Sequence, residues 1–134
     1  MTTPAAPLII DDHVFESRQQ FLDLIASNTD RVLIFKFSAD WCIPCKLLAP
    51  AVKDHLPKLP PQTTFYNLDA DENFDVYAFL KSKKMVSGIP ALLAYYPETT
   101  DYVSNVSYSG INCKELEAFF SDCAKKCVSI ERTQ

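Results

Sequence analysis

Two cysteines separated by two residues are the part of this sequence best suited to chemistry. Cys42 and Cys45 lie within residues 41–46, Trp-Cys-Ile-Pro-Cys-Lys, and thiols at this spacing can form and break a disulfide reversibly. Apolar residues 32–37 precede them and a segment with helical periodicity follows, which predicts a strand that turns into a helix near Cys42. Unpaired backbone N–H groups and the positive end of the helix dipole would favour a thiolate there. We therefore predict that Cys42 attacks a disulfide and that Cys45 resolves the mixed disulfide.

The same spacing has two other interpretations. The pair could be half of a zinc site, but a structural zinc takes four ligands. His13 and His55 are isolated in the sequence, and the other three cysteines lie far downstream, so we expect no metal site. The thiols could also be inert core residues. Trp41 and Pro44 disfavour that reading, because Pro44 lacks an N–H, fits a first helical turn and stiffens the loop between the sulfurs.

The elements that must position the thiols alternate between strands and helices, as in an α/β layer fold. Strands are predicted at residues 8–10, 32–37, 64–68, 91–96 and 102–108. We expect Asp11 or Asp12 to cap the first helix, and Asn112 with Glu115 to form a capping box at the last. Crossover helices imply parallel pairing of the early strands, and a tight turn implies antiparallel pairing of the last two.

Apolar residues at helical spacing predict which side of each helix is buried. The second helix also contains Pro50, which should kink it. The predicted inward residues are Phe15, Phe21, Leu22 and Ile25 in the first helix, Leu47, Leu48, Ala51 and Val52 in the second, Phe74, Tyr77, Ala78 and Leu80 in the third, and Leu116, Phe119 and Phe120 in the last.

Four short motifs, in this order along the chain, resemble the thioredoxin family. They are residues 39–46 (Ala-Asp-Trp-Cys-Ile-Pro-Cys-Lys), Pro50 in the following helix, residues 88–90 (Gly-Ile-Pro) and Gly110. A cysteine pair of this spacing near a βαβ pattern is itself a recognised signature of that family. The resemblance covers most of the chain and implies an α/β thioredoxin fold, a mixed sheet of about five strands flanked by about four helices.

The resemblance also implies a substrate-binding surface. Pro90 would follow a cis peptide bond and face the cysteines, and Ile89 would offer its backbone groups to an extended substrate segment. On the residues alone, Pro90 could simply open a strand, since cis X-Pro bonds are uncommon. The residues expected to form an apolar rim, a surface suited to peptide segments, are Trp41, Ile43, Pro44, Ile89, Pro90 and Gly110.

Two positions depart from the family pattern and are candidates for tuning the redox potential. Lys36 stands in the central strand where thioredoxins commonly carry a buried Asp, and Asn67 stands where a Lys is often found. An ammonium near the sulfurs would stabilise a thiolate and make the domain a weaker reductant. Alternatively, Lys36 extends its amine to water or to an acid. Ile43, where Gly is usual in the family, adds bulk beside the attacking thiol.

The resemblance implies a thiol-disulfide oxidoreductase that reduces or exchanges protein disulfides. Its partners would be disulfide-containing proteins and, as electron source, a thioredoxin reductase or another dithiol donor. We expect no metal or organic cofactor, only the redox-active Cys42–Cys45 pair. The alternative is a thioredoxin-fold binding module with weak redox activity, which would hold protein partners on the surface around Trp41, Ile89 and Pro90.

Size and composition agree with one globular domain spanning residues 1–134, with residues 1–7 as a loose arm. The chain has 134 residues, of which 48% are hydrophobic and 22% charged, enough for one core and too few for two ordinary domains. A formal net charge of −4 argues against nucleic-acid binding. The sequence has neither an apolar run of membrane-spanning length nor a secretory signal pattern. We expect a cytoplasmic monomer.

Three further cysteines complete an odd total of five, which excludes full pairing within one chain. Cys123 and Cys127 are four residues apart and would share a helix face, so they could form a metal or regulatory pair. More often such cysteines are small buried hydrophobic residues, and Cys113 could be exposed and incidental. We favour that second interpretation.

Overall fold

One five-stranded mixed sheet organises the chain, with strand order β1-β3-β2-β4-β5. The computed structural model describes residues 8–133 and the side chains of residues 8–130; the predicted arm, residues 1–7, lies outside the described residues. The strands are β1 (Ile9–Asp12), β2 (Val32–Ser38), β3 (Thr63–Asp69), β4 (Ala91–Tyr95) and β5 (Val106–Ser109). The helices are α1 (Arg18–Ser27), α2 (Ile43–His55), α3 (Phe74–Ser82) and α4 (Cys113–Thr133), and a 3₁₀ turn, Leu56–Lys58, follows α2.

The pairing follows from the connections, as the sequence predicts. β2 and β3 are joined through α2 and pair in parallel, and β1 pairs in parallel with β3. β4 pairs antiparallel with both β2 and β5, because no crossover helix separates β4 from β5. The predicted α/β class, a mixed sheet of five strands flanked by four helices, is confirmed.

Alternation along β2 explains the two-sided core, since successive strand residues point to opposite faces. Val32 and Ile34 pack with residues of α2 and α4, whereas Leu33, Phe35 and Phe37 pack with residues of α1 and α3. All five side chains are buried. The sheet is therefore covered on both faces and holds the start of α2 rigidly at the end of β2.

Helix caps and burial depart from the sequence predictions at several points. Ser17, not Asp11 or Asp12, caps α1, with its Oγ accepting the Gln20 N–H at 3.3 Å; Asp12 instead belongs to β1. Leu47 and Phe74, predicted as buried, are 64% and 68% exposed. In α2 and α3 the buried face is therefore narrower than the apolar face that the sequence pattern indicates.

The last part of the chain is only partly as predicted. β5 begins at Val106 instead of residue 102, because Asn105 uses its side-chain oxygen to accept the Tyr96 N–H at 2.9 Å and so lengthens the turn. Asn112 caps α4 as predicted, with its Oδ1 accepting the N–H groups of Lys114 at 3.0 Å and Glu115 at 3.1 Å.

Candidate active site

A disulfide joins Cys42 and Cys45 at the start of α2. Cys42 is the N-cap residue, and its Sγ accepts the Cys45 N–H at 3.2 Å. Pro44 lies in the first turn, where its missing N–H leaves no donor unsatisfied. The Cα atoms of the two cysteines are 5.3 Å apart. The predicted placement of Cys42 at a helix start is confirmed, and a thiolate there would receive a backbone N–H and the helix dipole.

The segment before β4, which contains Ile89 and Pro90, lies next to this disulfide. The Ile89–Pro90 peptide bond is cis, as the resemblance implies, and the Ile89 carbonyl oxygen lies 3.7 Å from Cys42 Sγ. Gly110 donates its N–H to the Pro90 carbonyl oxygen at 3.3 Å and has φ of +108°. A residue with a side chain rarely adopts that φ, so glycine suits this close approach. Ile89, Pro90 and Gly110 therefore lie together beside Cys42 Sγ.

Apolar side chains surround the disulfide at the surface. Trp41 is 66% exposed and Ile43 is 63% exposed, and Pro44 is exposed as well. The Trp41 indole Nε1–H donates to Asp71 Oδ2 at 2.7 Å. Asp71 is held in a turn by Asp69, whose Oδ1 accepts the Asp71 N–H at 2.8 Å. Trp41, Ile43 and Pro44 are thus exposed beside the disulfide, and the predicted substrate-binding rim stays a prediction. Asp71, which contacts Trp41, was not part of that prediction.

Lys36 and Asn67 meet beneath the second cysteine. The two residues are partners in the β2–β3 ladder, and both line one cavity of about 240 Å³ together with Cys45. Burial lowers the pKa of the Lys36 ammonium, and the nearby Asp12 carboxylate partly offsets this by raising it. Asn67 Nδ2 donates to Asp12 Oδ1 at 3.0 Å. The half-buried Lys36 side chain therefore lines the same cavity as Cys45. The Asp12 carboxylate lies on the other side of Asn67, to which it is hydrogen-bonded.

The other cysteines occupy different environments. Cys113 is exposed, whereas Cys123 and Cys127 are buried. Burial raises the pKa of the Cys123 thiol, and Cys127 Sγ lies 3.3 Å from Thr63 Oγ1. The interpretation of Cys123 and Cys127 as small buried residues agrees with this placement.

Within the described residues, no group of three or more His, Cys, Asp or Glu side chains is arranged to hold a metal ion. Across residues 8–133, none of the helices combines the length and the apolar composition that crossing a membrane requires.

Comparisons with known proteins agree with the geometry. A family model described as thioredoxin matches residues 12–122. Thioredoxin-1 of Saccharomyces cerevisiae is 37% identical over 81 residues, covering 60% of this chain and 72% of the yeast protein. Thioredoxin of Mus musculus is 28% identical over 111 residues, covering 83% and 97%. The crystal structure of Malassezia sympodialis thioredoxin aligns with a TM-score of 0.62 at 19% identity, over 92% of this chain and 99% of that one.

Proposed function

Because this chain belongs to the thioredoxin family of thiol-disulfide oxidoreductases, we propose that it reduces disulfides of other proteins with Cys42 as the attacking thiol. The observation that carries the assignment of roles is the capping geometry. Cys42 Sγ accepts the Cys45 N–H at the helix start, so the N-terminal sulfur is the one whose thiolate is stabilised.

The reaction we propose is thiol-disulfide exchange in two steps. The Cys42 thiolate attacks one sulfur of a substrate disulfide, forms a mixed disulfide and releases the other substrate sulfur as a thiolate. Cys45 then loses its proton and attacks Cys42 Sγ, which forms the Cys42–Cys45 bond and releases the second substrate sulfur. Two electrons pass from the dithiol to the substrate, and both released thiolates take up protons. The two sulfurs carry the whole exchange, so the proposal includes no metal or organic cofactor.

The rim around the disulfide would bind the substrate. An extended segment would lie along Ile89, whose carbonyl is 3.7 Å from Cys42 Sγ, and would form backbone hydrogen bonds there. Exposed Trp41, Ile43 and Pro44 would supply apolar contact of low sequence specificity. Gly110, with no side chain, would leave room for that segment. The Asp71 carboxylate would fix the Trp41 ring for this contact.

The setting we propose is that of an electron carrier in a reducing compartment. Electrons would come from a thioredoxin reductase or another dithiol donor, and the chain would act as a cytoplasmic monomer in redox homeostasis. Among the described residues, the thiols of Cys113 and Cys123 form no disulfide, which supports such a compartment because unpaired cysteines persist where glutathione and thioredoxin keep thiols reduced.

Insulin reduction tests the function and separates it from a binding module with weak redox activity. With dithiothreitol and then with a thioredoxin reductase as donor, we expect catalysed precipitation of insulin chains. The Cys45→Ser variant should accumulate a mixed disulfide with insulin on Cys42, visible as a band that a reductant removes. Binding of insulin without turnover, and no trapped band, would support the binding module instead.

A further inference from the structure

A row of polar side chains crosses one face of the sheet at the level of the second cysteine. Asp12 pairs with Asn67 in the β1–β3 ladder, and Asn67 pairs with Lys36 in the β2–β3 ladder. The three side chains therefore stand next to one another on adjacent strands. Two residues earlier on each strand, the same face carries the apolar row Ile10, Phe65 and Ile34. Three polar residues in register on a face otherwise packed against α2 call for an explanation.

Two cavities meet at this row. The first, about 240 Å³, is lined by Lys36, Asn67, Ala49 and Cys45 among others. The second, about 230 Å³, is lined by Lys36, Asn67, Ala49 and Asp12 among others. Both are large enough and polar enough to hold water. Lys36 and Asn67 thus stand between Cys45 and the outer edge of the sheet, where Asp12 is exposed.

The hydrogen bonds at Asn67 leave one acceptor open. Its Nδ2 donates to Asp12 Oδ1 at 3.0 Å, and among the described residues no group donates to its buried Oδ1. An amide that donates to a carboxylate on one side presents an acceptor for a cation or a water. Lys36, the ladder partner of Asn67 on β2, lines the same two cavities with its ammonium-bearing side chain but does not donate to that oxygen. The row is therefore ordered as carboxylate, amide and ammonium, with Cys45 on the cavity beyond.

We infer that Lys36 is a positioning residue that favours the thiolate of Cys45 in the resolving step, with Asp12 as its counter-charge through Asn67. The inference rests on the function proposed above. When Cys45 gives its proton to water in the cavity, the Lys36 ammonium stabilises the sulfur anion left behind. That anion then attacks Cys42 Sγ and releases the substrate thiolate. The same attraction stabilises the dithiol relative to the disulfide, so this domain is a weaker reductant than a variant without the cation.

Five other charged residues line the two cavities and contribute to the electrostatic environment of Lys36. They are Asp12 on β1, Asp69 at the end of β3, Asp40 in the turn before α2, and Lys46 and Lys53 on α2. Burial lowers the pKa of Lys36 and Asp12 opposes that effect. Lys36 accordingly loses its charge at a lower pH than an exposed lysine does. Its contribution to the redox equilibrium requires a charged Lys36 together with a Cys45 thiolate, and it fades as the pH rises through the Lys36 pKa.

Redox equilibria with glutathione test the inference. For Lys36→Met we expect the equilibrium constant to shift toward the disulfide at each pH where the Cys45 thiolate is populated, by up to about tenfold for one unit of thiol pKa, which corresponds to about 30 mV for a two-electron couple. Lys36→Gln, equally neutral, provides the same test if Lys36→Met folds poorly. Lys36→Arg keeps the charge and should stay near wild type. The matched control is Lys53→Met, which removes an exposed lysine from the rim of the second cavity and should leave the equilibrium unchanged.

The pH profile distinguishes an electrostatic role from a packing role. The difference in potential between wild type and Lys36→Met should grow as the Cys45 thiol ionises and should close again as Lys36 loses its proton at higher pH. Equal potentials for wild type and Lys36→Met at every pH, or a difference that does not change with pH, would overturn the inference. In either case insulin reduction by wild type would still stand, so this failure differs from a failure of the proposed function.

Discussion

This chain carries two pairs of cysteines on helices, and their surroundings differ more than their spacing does. Cys42 and Cys45 are three residues apart at the start of α2, and Cys123 and Cys127 are four residues apart inside α4. The first pair is joined as a disulfide, whereas Cys123 is a thiol and Cys127 Sγ lies 3.3 Å from Thr63 Oγ1. All four are buried residues. Burial alone therefore does not decide which thiols are fit for exchange.

The position along the helix explains the difference. At the start of α2 the Cys45 N–H points at Cys42 Sγ, because the first N–H groups of a helix have no partner within it. Inside α4 the backbone N–H groups are used by the helix, and Cys123 lies among apolar residues that raise the pKa of its thiol. In the mechanism proposed above, the same chemical group would be favoured as a thiolate at the start of α2, whereas burial raises its pKa inside α4.

The largest expected contrast is in catalysis. Replacing the attacking sulfur, Cys42→Ser, should lower the rate of insulin reduction by about a hundredfold or more, to the rate of the donor dithiol alone, because serine is a far weaker nucleophile at neutral pH. The matched control in the other pair is Cys123→Ser, which should reduce insulin at the wild-type rate if the variant is folded. Loss of activity in a folded Cys123→Ser variant would contradict the separation of the two pairs.

A smaller contrast should appear in alkylation of the reduced native protein. Iodoacetamide at pH 7 should modify Cys42 about a hundredfold faster than Cys123 or Cys127, since the thiolate is the reactive form and burial blocks access to the α4 pair. Mass spectrometry of quenched samples gives the rate for each residue. In urea the α4 cysteines should become as reactive as the exposed Cys113. Rapid labelling of Cys123 in the native state would break the comparison.

The sequence predicts the placement of Cys42 at the start of α2 correctly, because the signals for that placement are local. An apolar run, a cap position and Pro44 in a first turn together place Cys42 at a helix start without any distant contact. The resemblance supplies the cis bond before Pro90, which local propensity would not favour. The role of Gly110 likewise depends on a residue twenty positions away, because its N–H donates a hydrogen bond to the Pro90 carbonyl oxygen.

The contacts that the sequence does not reveal join residues far apart in the chain. Trp41 and Asp71 are 30 positions apart, and Asp12 and Asn67 are 55 apart; neither pairing follows from periodicity or turn chemistry. Leu47 and Phe74 were assigned to the core because their spacing fits a helix stripe, yet both are exposed. Periodicity shows which side of a helix is apolar. It does not show how much of that side is buried by the neighbouring strands and helices.

The smallest expected effect concerns stability at alkaline pH. Burial raises the pKa of Cys123 above its ordinary value of 9.0, so the folded chain keeps a proton there that the unfolded chain releases. Proton binding is then greater in the folded state, and the free energy of unfolding falls as the pH rises above 9. Each such group contributes up to about 1.4 kcal/mol per pH unit once it is ionised in the unfolded chain.

Urea denaturation between pH 8 and 10.5, with the Cys42–Cys45 disulfide intact and under inert gas, measures this slope. Cys123→Ala should lose about 1 kcal/mol at pH 8 from the space it leaves but should show a shallower decline at higher pH. Cys113→Ala, at an exposed position, is the matched control and should follow wild type throughout. Burial also raises the pKa of Tyr96 to about 12, so all three proteins should decline together above pH 10. An identical slope below pH 10 in wild type and Cys123→Ala would mean that the α4 thiol does not stay protonated in the fold, which would remove the contrast between the two pairs.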